Sequence, residues 1–146
     1  MRLAFIVFAV LAAAGCRTAA DGPPAIEIDR SACSHCGMLI SERIYAAAYQ
    51  AADSDARVFD DIGCLVAAAR KEERRTMRFW FHDAADGGWI DGSVAAFAVS
   101  PAIRTPMGGG ILAYRDLASA TAAARQHRGE AVATLGGLLQ RRGERR

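Results

Sequence analysis

The chain has 146 residues, with 18 Lys and Arg against 16 Asp and Glu, for a formal charge of +2. That length suits one domain. Beyond the N-terminus no apolar run approaches the roughly 20 residues of a membrane-spanning helix, which excludes an embedded multi-span protein. Most of the positive excess lies in Arg141-Arg142-Gly143-Glu144-Arg145-Arg146, which reads as a solvated, frayed tail and not as a nucleic-acid surface.

Met1-Arg2 leads into an apolar run from Leu3 to Ala14, followed by Gly15-Cys16. One positive charge, a short apolar segment and a small-residue exit are the marks of a secretory signal. Ala13-Ala14-Gly15-Cys16 resembles a bacterial lipobox, in which Cys16 is acylated and becomes the new N-terminus. The competing reading is an ordinary signal peptide cut near Ala20. The expected organisation is a lipoprotein signal over 1–15, a polar tether over 16–25, a folded domain over 26–137 and a basic tail over 138–146. The mature protein is then anchored to a membrane without entering it, on the periplasmic face of a bacterial membrane, the outer membrane favoured. An exported lipoprotein meets no nucleic acid.

The next feature is Cys33-Ser34-His35-Cys36-Gly37-Met38, with two thiols, an imidazole and a thioether in six residues. A strand is expected from Ile44 to Ala51, then a shorter one at Arg57-Val58-Phe59. Phe59-Asp60-Asp61-Ile62-Gly63-Cys64 opens a helix that runs to Arg70. Asp61 makes a sensible N-cap, which accounts for the acidic pair without a hard metal ion. Cys64 is open to two readings, a small buried hydrophobe or a ligand. Met77-Arg78-Phe79-Trp80-Phe81 is the next strand, with Met77 in the core and Trp80 and Trp89 as core or rim aromatics. Asp86-Gly87-Gly88 is a turn in the connection to the second half of the chain.

Strands are then expected over Val94 to Val99 and Ile111 to Tyr114, separated by the loop Arg104-Thr105-Pro106-Met107-Gly108-Gly109-Gly110. Asp116 caps a helix that runs to Arg125, and Ala131-Val132-Ala133-Thr134-Leu135 forms a last strand. Gly136-Gly137 ends the folded region, with Leu138-Leu139 adding at most one turn. Phe59-Asp60-Asp61-Ile62 through Arg70 is echoed by Tyr114-Arg115-Asp116-Leu117 through Arg125. The unit is β-β-α-β, used twice, with halves of about 33–85 and 86–137. The fold class is α+β: tandem β-β-α-β subdomains, two small sheets each backed by a helix, in one domain.

Soft sulfur donors favour Cu(I), Zn²⁺ or iron–sulfur centres over hard cations. Residues two apart in an extended segment share a side, so Cys36 and Met38 can face one ion, with Met107 approaching from the other half. Low coordination by thiolate and thioether suits Cu(I), whereas Zn²⁺ wants four N or S ligands. His35 is a further candidate ligand or a solvated imidazole. With Cys16 acylated, Cys33, Cys36 and Cys64 leave at least one thiol without an internal disulfide partner. The rival reading is an exported thiol-disulfide oxidoreductase using Cys33 and Cys36, with Thr105-Pro106 standing for a cis-proline. Too few residues precede Cys33 for the β-α-β arm of such a fold. A zinc knuckle lacks a second ligand pair, and no nucleophile–base pair stands out, so the chain reads as a non-enzyme.

The ordered motifs C-x-x-C-G-M (Cys33 to Met38), F-D-D-I-G-C (Phe59 to Cys64) and T-P-M-G-G-G (Thr105 to Gly110), behind a signal ending at Cys16, resemble the NosL family. These are copper-handling lipoproteins associated with nitrous oxide reductase maturation. The resemblance implies a tandem β-β-α-β fold akin to a domain of organomercurial lyase and one Cu(I) per protein. It also implies delivery of that copper to a membrane complex or apo-cuproenzyme. Carried over, the family's Cys-x-Met pair falls on Cys36 and Met38 and its loop methionine on Met107. Cys33 and Cys64 belong to a subset with additional cysteines, whose candidate roles are a disulfide, a thiol-rich site or a second metal.

Overall fold

A computed structural model describes residues 22–52, 54–72 and 76–141; the expected signal, the acylation at Cys16 and the end of the basic tail lie outside them. After a single 3-10 turn at Arg43–Tyr45, the elements are β1 (Ala47–Ala51), β2 (Arg57–Phe59), α1 (Ile62–Ala69), β3 (Met77–His82) and β4 (Trp89–Asp91). They continue as β5 (Ala96–Val99), β6 (Ile111–Tyr114), α2 (Leu117–Gln126), β7 (Glu130–Val132) and α3 (Leu135–Gln140).

The duplicated unit is visible in the ladders. The first sheet runs β2-β1-β3-β4 and the second β6-β5-β7. In each, the first strand of the half is central and pairs antiparallel with the second and third. The first sheet adds β4 beside β3. The turn at Asp86-Gly87-Gly88 therefore closes a hairpin of the first sheet, where the sequence suggested a link between halves. The Gly88 N–H donates to Asp86 Oδ1 at 2.7 Å, and Gly87 takes φ +73°, a conformation that glycine adopts without cost.

The core lies between the sheets. Register places Ala47 between Phe59 and Phe81, and Tyr49 between Arg57 and Phe79. The small alanine makes room for aromatic rows on either side, and Phe81 meets Phe97 of the second sheet edge-on at 5.0 Å. Such pairs add about 0.5–1.5 kcal/mol beyond burial. Strand alternation divides the second sheet: Phe97, Ile111 and Ala113 join this core, while Ala98 and Leu112 pack with Ala123 and Ala124 of α2.

The two helices differ for a physical reason. α1 packs against β1, β2, β6 and α3 and buries Ile62, Cys64, Leu65, Val66, Ala68 and Ala69. It is therefore apolar nearly all round and sits between the sheets, where the sequence suggested backing for one sheet. α2 buries only Ala120, Ala123 and Ala124 and lies outside the second sheet.

Four boundaries depart from the sequence expectation. The last strand is Glu130–Val132 and not Ala131 to Leu135, because Thr134 already caps the helix that begins at Leu135. Ile44 and Tyr45 belong to the 3-10 turn, and β1 starts at Ala47. Val94 is 62% exposed, and β5 starts two residues later, at Ala96. Most consequentially, Gly136-Gly137 does not end the fold but lies inside α3. Each glycine costs a helix about 1 kcal/mol relative to alanine. Here Thr134 Oγ1 caps the helix by accepting from Gly137 N at 3.1 Å, and Leu138 is buried with Leu135 and Leu139 against the core. Tertiary burial outweighs the weak local propensity.

His82 is buried at the end of β3, stacked on Trp89 at 3.7 Å between ring centroids. Its Nδ1 lies 3.0 Å from the Ala46 carbonyl, and Nε2 has no partner among the described residues. Burial drives its pKa below the ordinary value, against the Ala46 carbonyl and with help from Arg43. The folded protein thus holds the ring neutral while the unfolded chain takes up a proton below about 6.5. Stability is therefore expected to fall with pH from about 6.5 downward, by up to about 1.4 kcal/mol per pH unit until the folded ring titrates. Urea unfolding midpoints at pH 7.5 and 5.5 check this, and His82→Phe should flatten the difference. An equal pH dependence in that variant would clear His82 of the effect.

Candidate metal centre

The site forms where a tight loop meets the start of α1. Residues 32–39 are closed by an antiparallel bridge between Ala32 and Leu39 and by Cys33 N donating to the Met38 carbonyl at 2.8 Å. Gly37 N donates back to the Cys33 carbonyl at 2.9 Å, with Gly37 at φ +78°. The segment Cys36-Gly37-Met38 is therefore a turn, and the extended geometry expected to aim Cys36 and Met38 together is not what the backbone adopts.

Ser34 docks this loop on β2. Its N–H donates to the Val58 carbonyl at 2.8 Å, its Oγ accepts from Val58 N at 3.3 Å, and its carbonyl accepts from Arg57 at 3.1 Å. Two residues beyond β2, Asp61 caps α1, and Cys64 lies in the helix's first turn. The docked loop and the capped helix bring the sulfurs of Cys33, Cys36 and Cys64 within 4.8 Å of one another. Cys33 and Cys64 are buried, Cys36 is half-buried, and all three are free thiols. This cluster unites the cysteines the sequence left as additional candidates with Cys36.

The other candidates are exposed side chains. Met38 is 55% and Met107 43% exposed. His35 is exposed on the turn and lies outside the group that comes together, which contains thiols alone.

Cys33 and Cys64 differ electrostatically. Burial pushes the Cys33 thiol up, but N–H groups of Asp60, Cys36 and His35 aimed at its sulfur, with help from the Cys36 side chain, bring it below its ordinary value. Burial pushes Cys64 up, and the sulfurs of Cys33 and Cys36 and the Asp61 carboxylate push it further. One thiolate is favoured and the next resisted, so a cation that recruits all three must displace protons.

The acidic pair does more than the sequence suggested. Asp61 is fully buried. Its Oδ1 accepts from Gly63 N at 2.6 Å, and its Oδ2 accepts from Thr105 Oγ1 at 2.6 Å, Met107 N at 2.9 Å and Gly109 N at 3.2 Å. One carboxylate thus caps α1 and holds the Met107 loop against it. The approach leaves no space for side chains: a Cβ on Gly63 would lie 2.8 Å from Gly109 Cα. Asp60, also buried, accepts from Ser41 N at 3.1 Å; burial raises its pKa, the Ser41 N–H lowers it and Asp61 raises it further. Two carboxylates in an otherwise apolar stretch were a usable signal, since buried charge needs partners.

The thioredoxin-like alternative requires another fold. Here the C-x-x-C turn precedes β1 of an antiparallel sheet, and the Thr105–Pro106 peptide is trans.

A family model described as NosL matches residues 25–136. The chain belongs to the NosL family. Among solved structures, this NosL-family chain is similar to one described as the copper chaperone NosL from Shewanella denitrificans. The two are 20% identical with a TM-score of 0.63, over 79% of this chain and 97% of that one. At that identity the likeness speaks for the tandem fold. No curated protein matches the chain.

Proposed function

We propose that this NosL-family protein is an extracytoplasmic Cu(I) carrier, tethered through an acyl chain on Cys16, that passes copper to a cuproenzyme maturation complex of the nitrous oxide reductase type. The observation that carries the reading is the three-sulfur cluster of Cys33, Cys36 and Cys64. Three sulfurs bound at about 2.3 Å to one ion stand roughly 4 Å apart, so the separation found needs only a small contraction. Family membership and the copper-chaperone neighbour support the same choice of cargo.

The burial pattern suits a carrier. Cys33 and Cys64 hold the ion from inside, and the half-buried Cys36 leaves one side open to an incoming sulfur ligand. Met38 and Met107, exposed and uncharged, are the donors an acceptor displaces most readily. Ligand-by-ligand exchange moves the ion without releasing it to water. The protein performs no bond chemistry on a substrate in this reading.

The test is titration of the reduced protein against a chromophoric Cu(I) chelator, with thiols counted by alkylation before and after. One tightly bound copper that protects Cys36 supports the carrier. No competition for copper, together with a readily reducible Cys33–Cys36 disulfide, would transfer the protein to the thiol-oxidoreductase class. Metal choice gives a second prediction. Zn²⁺ should compete poorly, because three thiols leave its tetrahedral set one ligand short. Stoichiometric zinc retained against a zinc chelator would point to a structural site instead.

A further inference from the structure

Beside the thiol cluster runs a groove of about 970 Å³, bounded by α1, the loop between β5 and β6, and the end of α3. Val66, Ile103, Ile111 and Leu138 line it, each less than a tenth exposed, and form an apolar floor. Arg70, Arg104 and Arg141 stand in its wall, and no Asp or Glu lines it among the described residues. Arg70 donates to the carbonyls of Leu138, Leu139 and Arg141, which fixes its position without neutralising it. Arg141 pairs with Glu130. Arg104 is exposed and has no ion-pair partner among the described residues.

Position distinguishes this groove from an ordinary surface cleft. Gly63, next to Cys64, and Thr105, Gly108 and Gly109 of the Met107 loop belong to its lining. Anything seated in it lies against the loop that Asp61 holds to the helix bearing Cys64. An acceptor of Cu(I) has to bring its own sulfur atoms within bonding distance of the donor's, so its docking surface must adjoin the site.

We infer that this groove is the docking site of a copper-exchanging protein partner, which seats a segment of alternating acidic and apolar residues in it. The inference rests on the carrier reading above. Carboxylates of the segment meet Arg104 and its two neighbouring arginines, and its apolar side chains cover the recessed floor. Electrostatic pairing of this kind orients encounter and sets the on-rate more than it sets final affinity.

The test uses the full, copper-free protein and two labelled synthetic peptides, each carrying one Met-x-x-Met segment. One is flanked by alternating Glu and Leu, the other by alternating Lys and Leu. Fluorescence anisotropy at low ionic strength should show the acidic peptide binding about tenfold more tightly, with the preference lost in high salt. Arg104→Glu should remove that preference, while Arg125→Glu, an exposed reversal on α2 outside the groove, should keep it. Equal binding of the two peptides, or equal loss in both variants, overturns the inference. Arg104-dependent binding to phosphatidylglycerol vesicles without peptide preference overturns it in favour of lipid. Cu(I) titration of the same samples separates the two claims. Arg104→Glu should load copper like the parent, and a parent that loads none would sink the carrier reading whatever the peptides do.

Discussion

Replacing Cys36 with serine is expected to lower Cu(I) affinity by more than about a hundredfold, beyond the 10–100-fold that loss of an outer-sphere partner costs at a metal site. Cys36 is the one residue common to both donor sets under consideration, the three-thiol cluster and the thiolate with two thioethers suggested by sequence. It is also the most accessible of the three thiols, so its loss removes the ligand nearest to exchange. Companion variants separate the two sets. Cys33→Ser and Cys64→Ser should lose affinity on the same scale, whereas Met107→Ala should weaken binding about tenfold and leave the circular dichroism spectrum unchanged. Wild-type affinity in Cys36→Ser would refute the site altogether. Wild-type affinity in Cys64→Ser alone would return the ligands to Cys36, Met38 and Met107.

The second large effect concerns Asp61. Its carboxylate accepts from Gly63, Thr105, Met107 and Gly109, four donors that lose a charged acceptor together when it is removed. A lost N-cap costs about 0.5–2 kcal/mol and each hydrogen bond to a charged group about 1.5–3, with incomplete additivity. Asp61→Ala should therefore destabilise the protein by roughly 3–5 kcal/mol, read as a lower urea midpoint. Asp61→Asn retains one acceptor oxygen but points an amide toward N–H groups, and should fall between the two. Both variants should also bind Cu(I) more weakly than the parent, because the loop bearing Met107 is no longer held to α1. An unchanged unfolding midpoint in Asp61→Ala would mean that the carboxylate does not hold the two elements together.

Much of the architecture was legible in the chain because duplication left a double signal. The aromatic–acid–alanine pattern before Arg70 recurs before Arg125, and each half places its first strand between its second and third. Less legible were features that depend on contacts distant in sequence. Gly136-Gly137 looked like a terminator because local propensity says so, and only the burial of Leu138 reverses it. β4 is three residues long, too short for alternation to announce. At the site, all three thiols were visible as candidates, but their union depends on Ser34 docking a turn against β2, and an exposed serine carries no warning of that role. Asp61 was legible as a cap; its grip on a loop more than forty residues away was not.

That grip adds a polar tie to the apolar core that the two repeats already share. The helix capped by Asp61 belongs to the first and the loop it holds belongs to the second. The seam between duplicated halves is thus closed twice, by a shared apolar core and by one buried carboxylate. Loss of that carboxylate would free the Met107 loop from the first helix while each sheet kept its own ladder intact. Where the methionine loop lies relative to the cysteine-bearing helix is then set by one side chain and by neither sheet.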